Sequence, residues 1–186
     1  SLEIPPLSES ELRAMKEVHD AKQARLQKLT SLQAPLRNAK MVNFKSTEAV
    51  TVLQHEYAVT NADSVQPIIG TFGAGPCVIL ALYDEQMKIA VLTHVDALTS
   101  IYSLSRLFSE ITPENTVAHL AGGDFSSQDM CIEILELLES KGIKVVNADL
   151  ANHTSFEAAS LAIDSRTGVI YSPVRHDQLN VTPDIS

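Results

Sequence analysis

The chain has 186 residues, 45% of them hydrophobic and 20% charged, which is the composition of one ordinary globular domain. Its 14 basic and 23 acidic residues give a net charge of −9, and such a surface repels phosphate backbones, which argues against nucleic-acid binding as the main activity. No apolar run approaches the roughly 20 residues that span a bilayer, and the N-terminus lacks the pattern of a signal peptide. Two cysteines are too few for a disulfide scaffold. We therefore expect a cytoplasmic domain (in its own cell or, for a secreted effector, in a host cytosol) without nucleic-acid or membrane partners.

The first predicted element is an amphipathic helix that begins at Ser8, whose side chain offers an N-cap, and ends near Thr30. Apolar residues recur along it at near-helical spacing and predict one stripe packed on the rest of the protein: Leu12, Met15, Val18, Leu26 and Leu29. Pro35 breaks the helix, and a basic linker continues to about Glu48. We accordingly divide the chain into residues 1–48, a helix and linker packed on the body, and residues 49–186, a single globular domain.

Strands dominate the next part of the chain. Residues 50–60 mix β-branched and polar side chains, as a half-buried strand does, and three glycines between residues 70 and 75 predict a loop closed by Pro76. Residues 77–83 are continuously apolar, which predicts a strand buried on both faces, and residues 88–93 return as its hairpin partner. Because a hairpin brings its open ends together, we expect Cys77 and His94 to be neighbours beside open solvent.

The second half of the chain alternates predicted helices and strands. Helical spacing marks residues 99–109 and 126–141, strands are predicted for residues 116–121 and 143–148, and a closing hairpin joins residues 160–164 to 169–171. Hairpin and crossover connections therefore occur together. This order predicts a mixed α/β (α+β) fold, a largely antiparallel, β-sandwich-like sheet flanked by helices rather than a doubly wound one.

Cys77 is the first candidate for chemistry. It follows a glycine-rich loop and opens a buried strand, where backbone N–H groups can face a substrate carbonyl and an imidazole can activate the thiol. A lone cysteine is more often a core filler, but the hairpin favours catalysis because it brings His94 alongside to take and return the thiol proton. Asp96, two residues further on, either orients that imidazole, binds a cationic substrate group or caps the following helix.

The other polar candidates have plainer explanations. An exposed edge position accounts for Glu56 inside a predicted strand, His119 is expected to be a buried structural histidine, and Cys131 lies on the apolar stripe of a helix. The glycine loop lacks the Gly-Lys-Ser/Thr ending of a phosphate loop and precedes a strand, so we reject nucleotide binding. The histidines form no metal-ligand pattern, and we expect neither a metal nor a cofactor.

Several short blocks, taken in order, resemble the protein N-terminal asparagine amidohydrolase family. They are residues 52–60, 68–71, 77, 92–96, 119–123, 162–164 and 167–171. A hydroxyl residue six positions before a cysteine and a histidine seventeen after it also resemble the chemotaxis-receptor glutamine deamidases and related toxin deamidases; here these residues are Thr71, Cys77 and His94. The wider resemblance implies a CheD-like deamidase fold, an α/β sandwich with the Cys–His pair at one end of the sheet.

The resemblance implies a cysteine amidohydrolase that removes ammonia from the carboxamide of an N-terminal asparagine, a step that feeds degradation by the N-terminal-residue rule. In this reading Cys77 attacks the amide carbon, His94 transfers protons, Thr71 positions the imidazole or the amide, and backbone N–H groups of the glycine loop bind the oxyanion. The substrate-binding residues that it implies are Asp96, Glu56, Gly73 and Gly75.

The segment before the nucleophile departs from the family pattern. The family carries acidic residues and threonines there, whereas this chain has the sequence Phe-Gly-Ala-Gly-Pro at residues 72–76. An N-terminal ammonium needs a carboxylate near the thiol, so the departure concerns substrate identity more than reaction type. Two alternatives stay open: deamidation of an internal glutamine on a folded partner, which needs an open groove rather than a closed pocket with an acid, and a non-catalytic binding module on the same scaffold.

Overall fold

The computed structural model describes residues 2–32, 36–99 and 101–180. Its main elements in chain order are α1 (Glu9–Leu32), β1 (Ala49–Thr51), β2 (Tyr57–Asn61), β3 (Ile68–Ala74), β4 (Val78–Asp84), β5 (Ile89–Val95), β6 (Thr116–Gly122), α2 (Gln128–Ser140), β7 (Lys144–Leu150), β8 (Ala159–Asp164) and β9 (Ile170–Tyr171). The helix predicted for residues 99–109 is a 3₁₀ helix, Ile101–Glu110. Within these described ranges no helix is long and apolar enough to cross a membrane.

The strands form two mixed sheets that pack face to face. The first has the order β1-β3-β8-β9 and the second the order β2-β5-β4-β6-β7, with β1 parallel to β3 and β6 parallel to β7. An apolar layer lies between them, to which the first sheet contributes Ile69, Leu161 and Ile163 and the second Ile79 and Leu92. The predicted α+β fold, two packed sheets flanked by helices, is therefore confirmed.

The central hairpin is the best-predicted part of the molecule. β4 and β5 pair antiparallel over their whole length. Side chains of β4 alternate between two apolar layers: Val78 and Leu80 face α2 and the 3₁₀ helix Ile101–Glu110, while Ile79 faces the first sheet. Every residue of β4 is buried, as its continuous apolar sequence predicts, because both faces of the second sheet are covered.

Two predictions upstream of this hairpin are wrong. Residues 50–60 form two strands, β1 in the first sheet and β2 in the second, separated by a turn in which His55 has φ +71°. The segment predicted as a glycine loop is largely strand β3. Position 70 of this strand needs a glycine, because a Cβ there would lie 2.7 Å from the side chain of Leu179. Gly73, with φ +73°, lies where the pairing of β3 with β8 shifts register. β-branched composition indicates strands but not the point where a chain changes sheets.

α1 forms over the predicted residues but packs by its C-terminal part alone. Leu29 is buried, and Lys28 pairs with Glu139 of α2 at 2.6 Å. The predicted apolar stripe is wrong for the N-terminal half, where Leu12, Met15 and Val18 are 54%, 59% and 70% exposed. The layer on the second sheet reaches only the last turns of this 24-residue helix, so spacing alone overestimated its contact with the body. Pro35, predicted to end the helix, lies outside the described residues.

Candidate active site

The register of the central hairpin places Cys77 and His94 on one face of the second sheet. Ile79 of β4 lies directly opposite His94 of β5, and opposed residues point to the same face. Cys77 precedes Ile79 by two residues and therefore shares that face as a diagonal neighbour of His94. Diagonal neighbours are typically about 7–8 Å apart, a distance that long side chains can bridge. The face is the one that packs against the first sheet, because Cys77 and Ile79 both belong to the layer between the sheets.

Thr71 approaches the imidazole from the opposite sheet. Its Oγ1 lies 2.7 Å from the carbonyl oxygen of Val52 and 2.8 Å from His94 Nδ1, and its side chain is buried. A carbonyl can only accept, so the single hydroxyl proton goes to Val52, and Thr71 must accept from an N–H at Nδ1 of His94. This assignment puts the lone pair of the neutral ring on Nε2. Two hydrogen bonds thus select one tautomer, with a free base at the far nitrogen.

The pair is less accessible than the sequence indicates. Cys77 is 6% exposed and His94 4% exposed, so the prediction that they lie beside open solvent is wrong. The physical reason is the covering of this end of the sandwich: a Cβ on Gly75 would lie 3.1 Å from the carbonyl oxygen of Thr154, which shows how closely that later segment approaches the chain before the thiol. Within the described residues the thiol makes no hydrogen bond with the ring.

Electrostatics favour the neutral forms of both groups. Burial raises the pKa of the Cys77 thiol, and the negative charges of Asp96 and then Asp124 raise it further. Burial also lowers the pKa of His94, a shift that Asp96 partly opposes and that His55 reinforces. The resting site therefore holds a thiol and a neutral imidazole rather than a preformed ion pair. A nucleophilic thiolate has to be generated by proton transfer during the reaction.

Asp96 is held by a dense set of donors. Oδ1 accepts from the backbone N–H groups of Leu98 and Thr99 at 3.0 and 3.1 Å, and Oδ2 accepts from Gln54 Nε2 at 3.0 Å and pairs with His55 Nε2 at 2.7 Å. Burial opposes its charge, but the hydrogen bonds outweigh this effect and hold the pKa of Asp96 below its usual value. Both oxygens are thus occupied, and the side chain fixes the turn after β5 against the turn before β2.

The remaining predicted binding residues have mainly backbone roles. Glu56 is exposed, and its carboxylate accepts from Leu53 N–H at 2.9 Å, which closes the turn before β2. The Gly75 N–H donates to the Gly73 carbonyl at 3.2 Å. The amide N–H of Cys77 itself has no acceptor within the described residues, and it belongs to the same residue as the thiol. It can therefore donate to a bound ligand, whereas the Gly75 N–H is already engaged.

Two further residues lie away from this arrangement. His119 faces Ala81, four residues along β4 from Cys77, and Asn147 Nδ2 lies 2.9 Å from its Nδ1. Burial lowers the pKa of His119 to about 4, which keeps the ring neutral. Cys131 is fully buried on α2, and burial raises the pKa of its thiol to about 12. Cys131 belongs to the apolar layer between the second sheet and α2, whereas Cys77 belongs to the layer between the two sheets, although Asp124 raises the pKa of both thiols.

Sequence reasoning missed three polar residues near the pair. Gln54 and His55 hold Asp96, and Asp124 acts electrostatically on Cys77 from the segment after β6. Gln54 and His55 are part of the block at residues 52–60, so that block carried a signal for them. Asp124 carried no signal, because its proximity depends on the pairing of β6 with β4.

The chain is similar to one protein family in sequence and to two solved structures in fold. The family model described as protein N-terminal asparagine amidohydrolase matches residues 39–159, well over half of the chain. No curated protein matches it. Among solved structures, hypothetical protein YfiH of Bacillus licheniformis is 12% identical over 68% of this chain and 69% of that one, with a TM-score of 0.40. A Neisseria meningitidis protein of the family DUF152 is 11% identical over 80% and 72%, with a TM-score of 0.43. Neither likeness bears on the function of this chain.

Proposed function

Because this chain belongs to the protein N-terminal asparagine amidohydrolase family, we propose that it deamidates an N-terminal asparagine to aspartate, with Cys77 as nucleophile and His94 as general base and acid. The observation that carries the proposal is the selected tautomer of His94. Thr71 accepts a hydrogen bond from the Nδ1–H of His94, which leaves Nε2 as a base on the face that Cys77 shares. A merely structural histidine has no need of an uncommitted ring nitrogen on the face of the sheet that also carries a thiol.

The first half of the reaction forms a thioester. The Cys77 sulfur attacks the side-chain amide carbon while its proton moves to Nε2 of His94, and the carbonyl π electrons move to the oxygen. The Cys77 amide N–H donates to that oxyanion. When the intermediate collapses, the C–N bond breaks, the imidazolium returns its proton to the leaving nitrogen, and ammonia departs. Thr71 stabilises the transient imidazolium because a hydroxyl oxygen accepts more strongly from a charged N–H.

The second half restores the enzyme. Nε2 of His94 takes a proton from water, whose oxygen attacks the thioester carbon. Collapse of this second intermediate breaks the C–S bond, and the proton on the imidazolium returns to sulfur. The products are an N-terminal aspartate and free thiol, so each turnover consumes one water and releases one ammonia. We propose that the protein bearing the new N-terminal aspartate is then degraded in the cytoplasm.

The burial of the site supports an N-terminal substrate over an internal glutamine. Cys77 is only 6% exposed, and the chain around Thr154 lies against the segment that precedes it. A narrow approach admits the end of a peptide, whereas an internal side chain on a folded partner needs an open groove. The reading as a deamidase of folded partners therefore has no observation in its favour.

Mass spectrometry of defined peptides tests the proposal. Peptides that begin with asparagine should gain the mass that accompanies replacement of the amide by a carboxylate and release ammonia, while acetylated copies and internal-glutamine peptides should not. Cys77→Ala should abolish this change, and Cys131→Ala, which alters the buried thiol of α2, should retain it. Equal turnover of free and acetylated peptides would overturn the N-terminal assignment. No turnover of any peptide by a folded protein would favour a non-catalytic binding module.

A further inference from the structure

Two carboxylates act electrostatically on the Cys77 thiol, and they differ in which of their oxygens accept hydrogen bonds. Both oxygens of Asp96 are occupied, by two backbone N–H groups on one side and by Gln54 and His55 on the other. A substrate ammonium would have to displace one of these partners. Asp96 is therefore suited to hold the end of β5 in place rather than to bind a charged ligand.

Asp124 lies beside the chain segment that carries the thiol, and its charge raises the pKa of both Cys77 and Cys131. It follows Gly123, whose backbone N–H donates to the carbonyl oxygen of Cys77 at 2.7 Å, so one residue separates it from the chain that carries the sulfur. Its Oδ1 accepts from the backbone N–H and hydroxyl of Ser126 and from the hydroxyl of Ser127. The backbone N–H of Ser127 also faces this carboxylate. Across the described ranges no hydrogen bond given for the side chain ends on Oδ2, and the carboxylate forms no ion pair. The side chain is half-buried.

The segment before the nucleophile contains no acid, since residues 72–76 are Phe-Gly-Ala-Gly-Pro. An N-terminal ammonium nevertheless requires a carboxylate within hydrogen-bond reach. In asparagine only Cα and Cβ separate the α-nitrogen from the amide carbon that the thiol attacks, so the carboxylate must lie beside the sulfur. We propose that Asp124 Oδ2 accepts the N-terminal ammonium of the substrate and thereby selects a free α-amine. This inference rests on the proposed function and names the specificity residue of the same site.

Asp124 also caps the short 3₁₀ helix Phe125–Ser127 that leads into α2. Asp124→Asn separates the two roles, because an asparagine side-chain oxygen still caps while the negative charge is lost. Asp129→Asn is the matched control: it removes an exposed carboxylate from the first turn of α2, one that does not act on Cys77. Both variants should keep the melting temperature of the parent protein.

The first measurement is kinetic. For a peptide with a free N-terminal asparagine, Asp124→Asn should lower kcat/KM by about 10- to 100-fold, mainly through KM, as expected for loss of one charge-assisted hydrogen bond. Asp129→Asn should match the parent protein. A value of kcat/KM for Asp124→Asn equal to that of Asp129→Asn, with the parent protein active, would overturn the inference and leave the proposed function standing.

The second measurement does not need turnover. Cys77 is modified with two methanethiosulfonate reagents, one with an ethylammonium group and one with a neutral ethyl group, and Cys77→Ala serves as the blank. Asp124→Asn should lower the ratio of cationic to neutral modification rates by about 2- to 5-fold, as expected for a partly screened charge. If the ratio falls but the parent protein deamidates no peptide, the cation site stands and the proposed function fails. An unchanged ratio with no turnover rejects both.

Discussion

Replacing Thr71 by valine tests the central contact of the site with almost no change in shape. The substitution removes the acceptor of the His94 Nδ1 proton and the donor to the Val52 carbonyl, both buried. Each buried polar group left without a partner costs about 1–3 kcal/mol. We expect the free energy of unfolding to fall by about 2–4 kcal/mol in total, because the ring can shift its proton to the other nitrogen and recover part of this loss.

The effect on catalysis follows from the same bond. In the proposed mechanism Thr71 accepts a hydrogen bond from an imidazolium in the transition state. A hydrogen bond to a charged group contributes about 1.5–3 kcal/mol, so kcat should fall by about 10- to 100-fold. Since burial holds the pKa of His94 below its usual value, activity should rise with pH through a midpoint below the ordinary histidine range as Nε2 loses its proton. Without the Thr71 acceptor the imidazolium is less stable, and this midpoint should move to still lower pH.

The assay is ammonia release from an asparagine-initiated peptide across the pH range, with urea unfolding of the same samples. Thr71→Ser is the matched control, because it keeps the hydroxyl and loses one methyl group, and it should restore the pH profile and most of kcat. A folded Thr71→Val protein that keeps the kcat and pH midpoint of the parent would contradict this role of Thr71. So would a Thr71→Ser protein that is as impaired as Thr71→Val.

Three further outcomes concern packing and pH. Gly122 has φ +108°, and a Cβ there would overlap the carbonyl oxygen of Cys77. Gly122→Ala should therefore lower the free energy of unfolding by at least about 3 kcal/mol and reduce activity, whereas Gly142→Ala, at φ +71° with open space around it, should cost only about 1 kcal/mol. In urea unfolding Leu29→Ala should cost about 2–4 kcal/mol and Val18→Ala almost nothing, since Leu29 is buried and Val18 exposed; equal costs would contradict the described position of α1. Burial lowers the pKa of His119 from 6.5 in the unfolded chain to about 4 in the folded one, so between these pH values the unfolded state binds more protons. The free energy of unfolding should therefore fall by up to about 3 kcal/mol as the pH drops from 6.5 to 4. His119→Gln should reduce that fall, and an unchanged fall would show that other groups cause it.

The parts of the fold that the sequence predicts well depend on local pattern. The apolar run that became β4 and its return as β5 needed only composition and a short turn, and this register alone puts Cys77 and His94 on one face. The turn itself is tied by Asp84, whose carboxylate accepts from the N–H groups of Gln86 and Met87 at 3.1 and 2.9 Å. Hairpins are local, and their geometry follows from their sequence.

The parts that the sequence does not predict depend on distant pairing. Nothing in the run of residues 49–61 indicates that it crosses from one sheet to the other, because both halves have strand composition. The burial of Cys77 requires the later segment at Thr154 and Ser155 to lie against Gly75, and the proximity of Asp124 requires β6 to pair with β4. The resemblance pointed to Thr71, but its bond to the Nδ1 side of His94 could only be seen with both sheets assembled.

Thr71 belongs to one layer of the sandwich, and His94 to the other. Residues 75–77, between the end of β3 and the start of β4, pass from the first layer to the second. A slip of either layer by one residue would turn the hydroxyl away from the ring without breaking a single strand. In the proposed mechanism activity therefore depends on the alignment of the two sheets. In a denaturant titration, ammonia release should be lost no later than the spectroscopic signal of folded sheet.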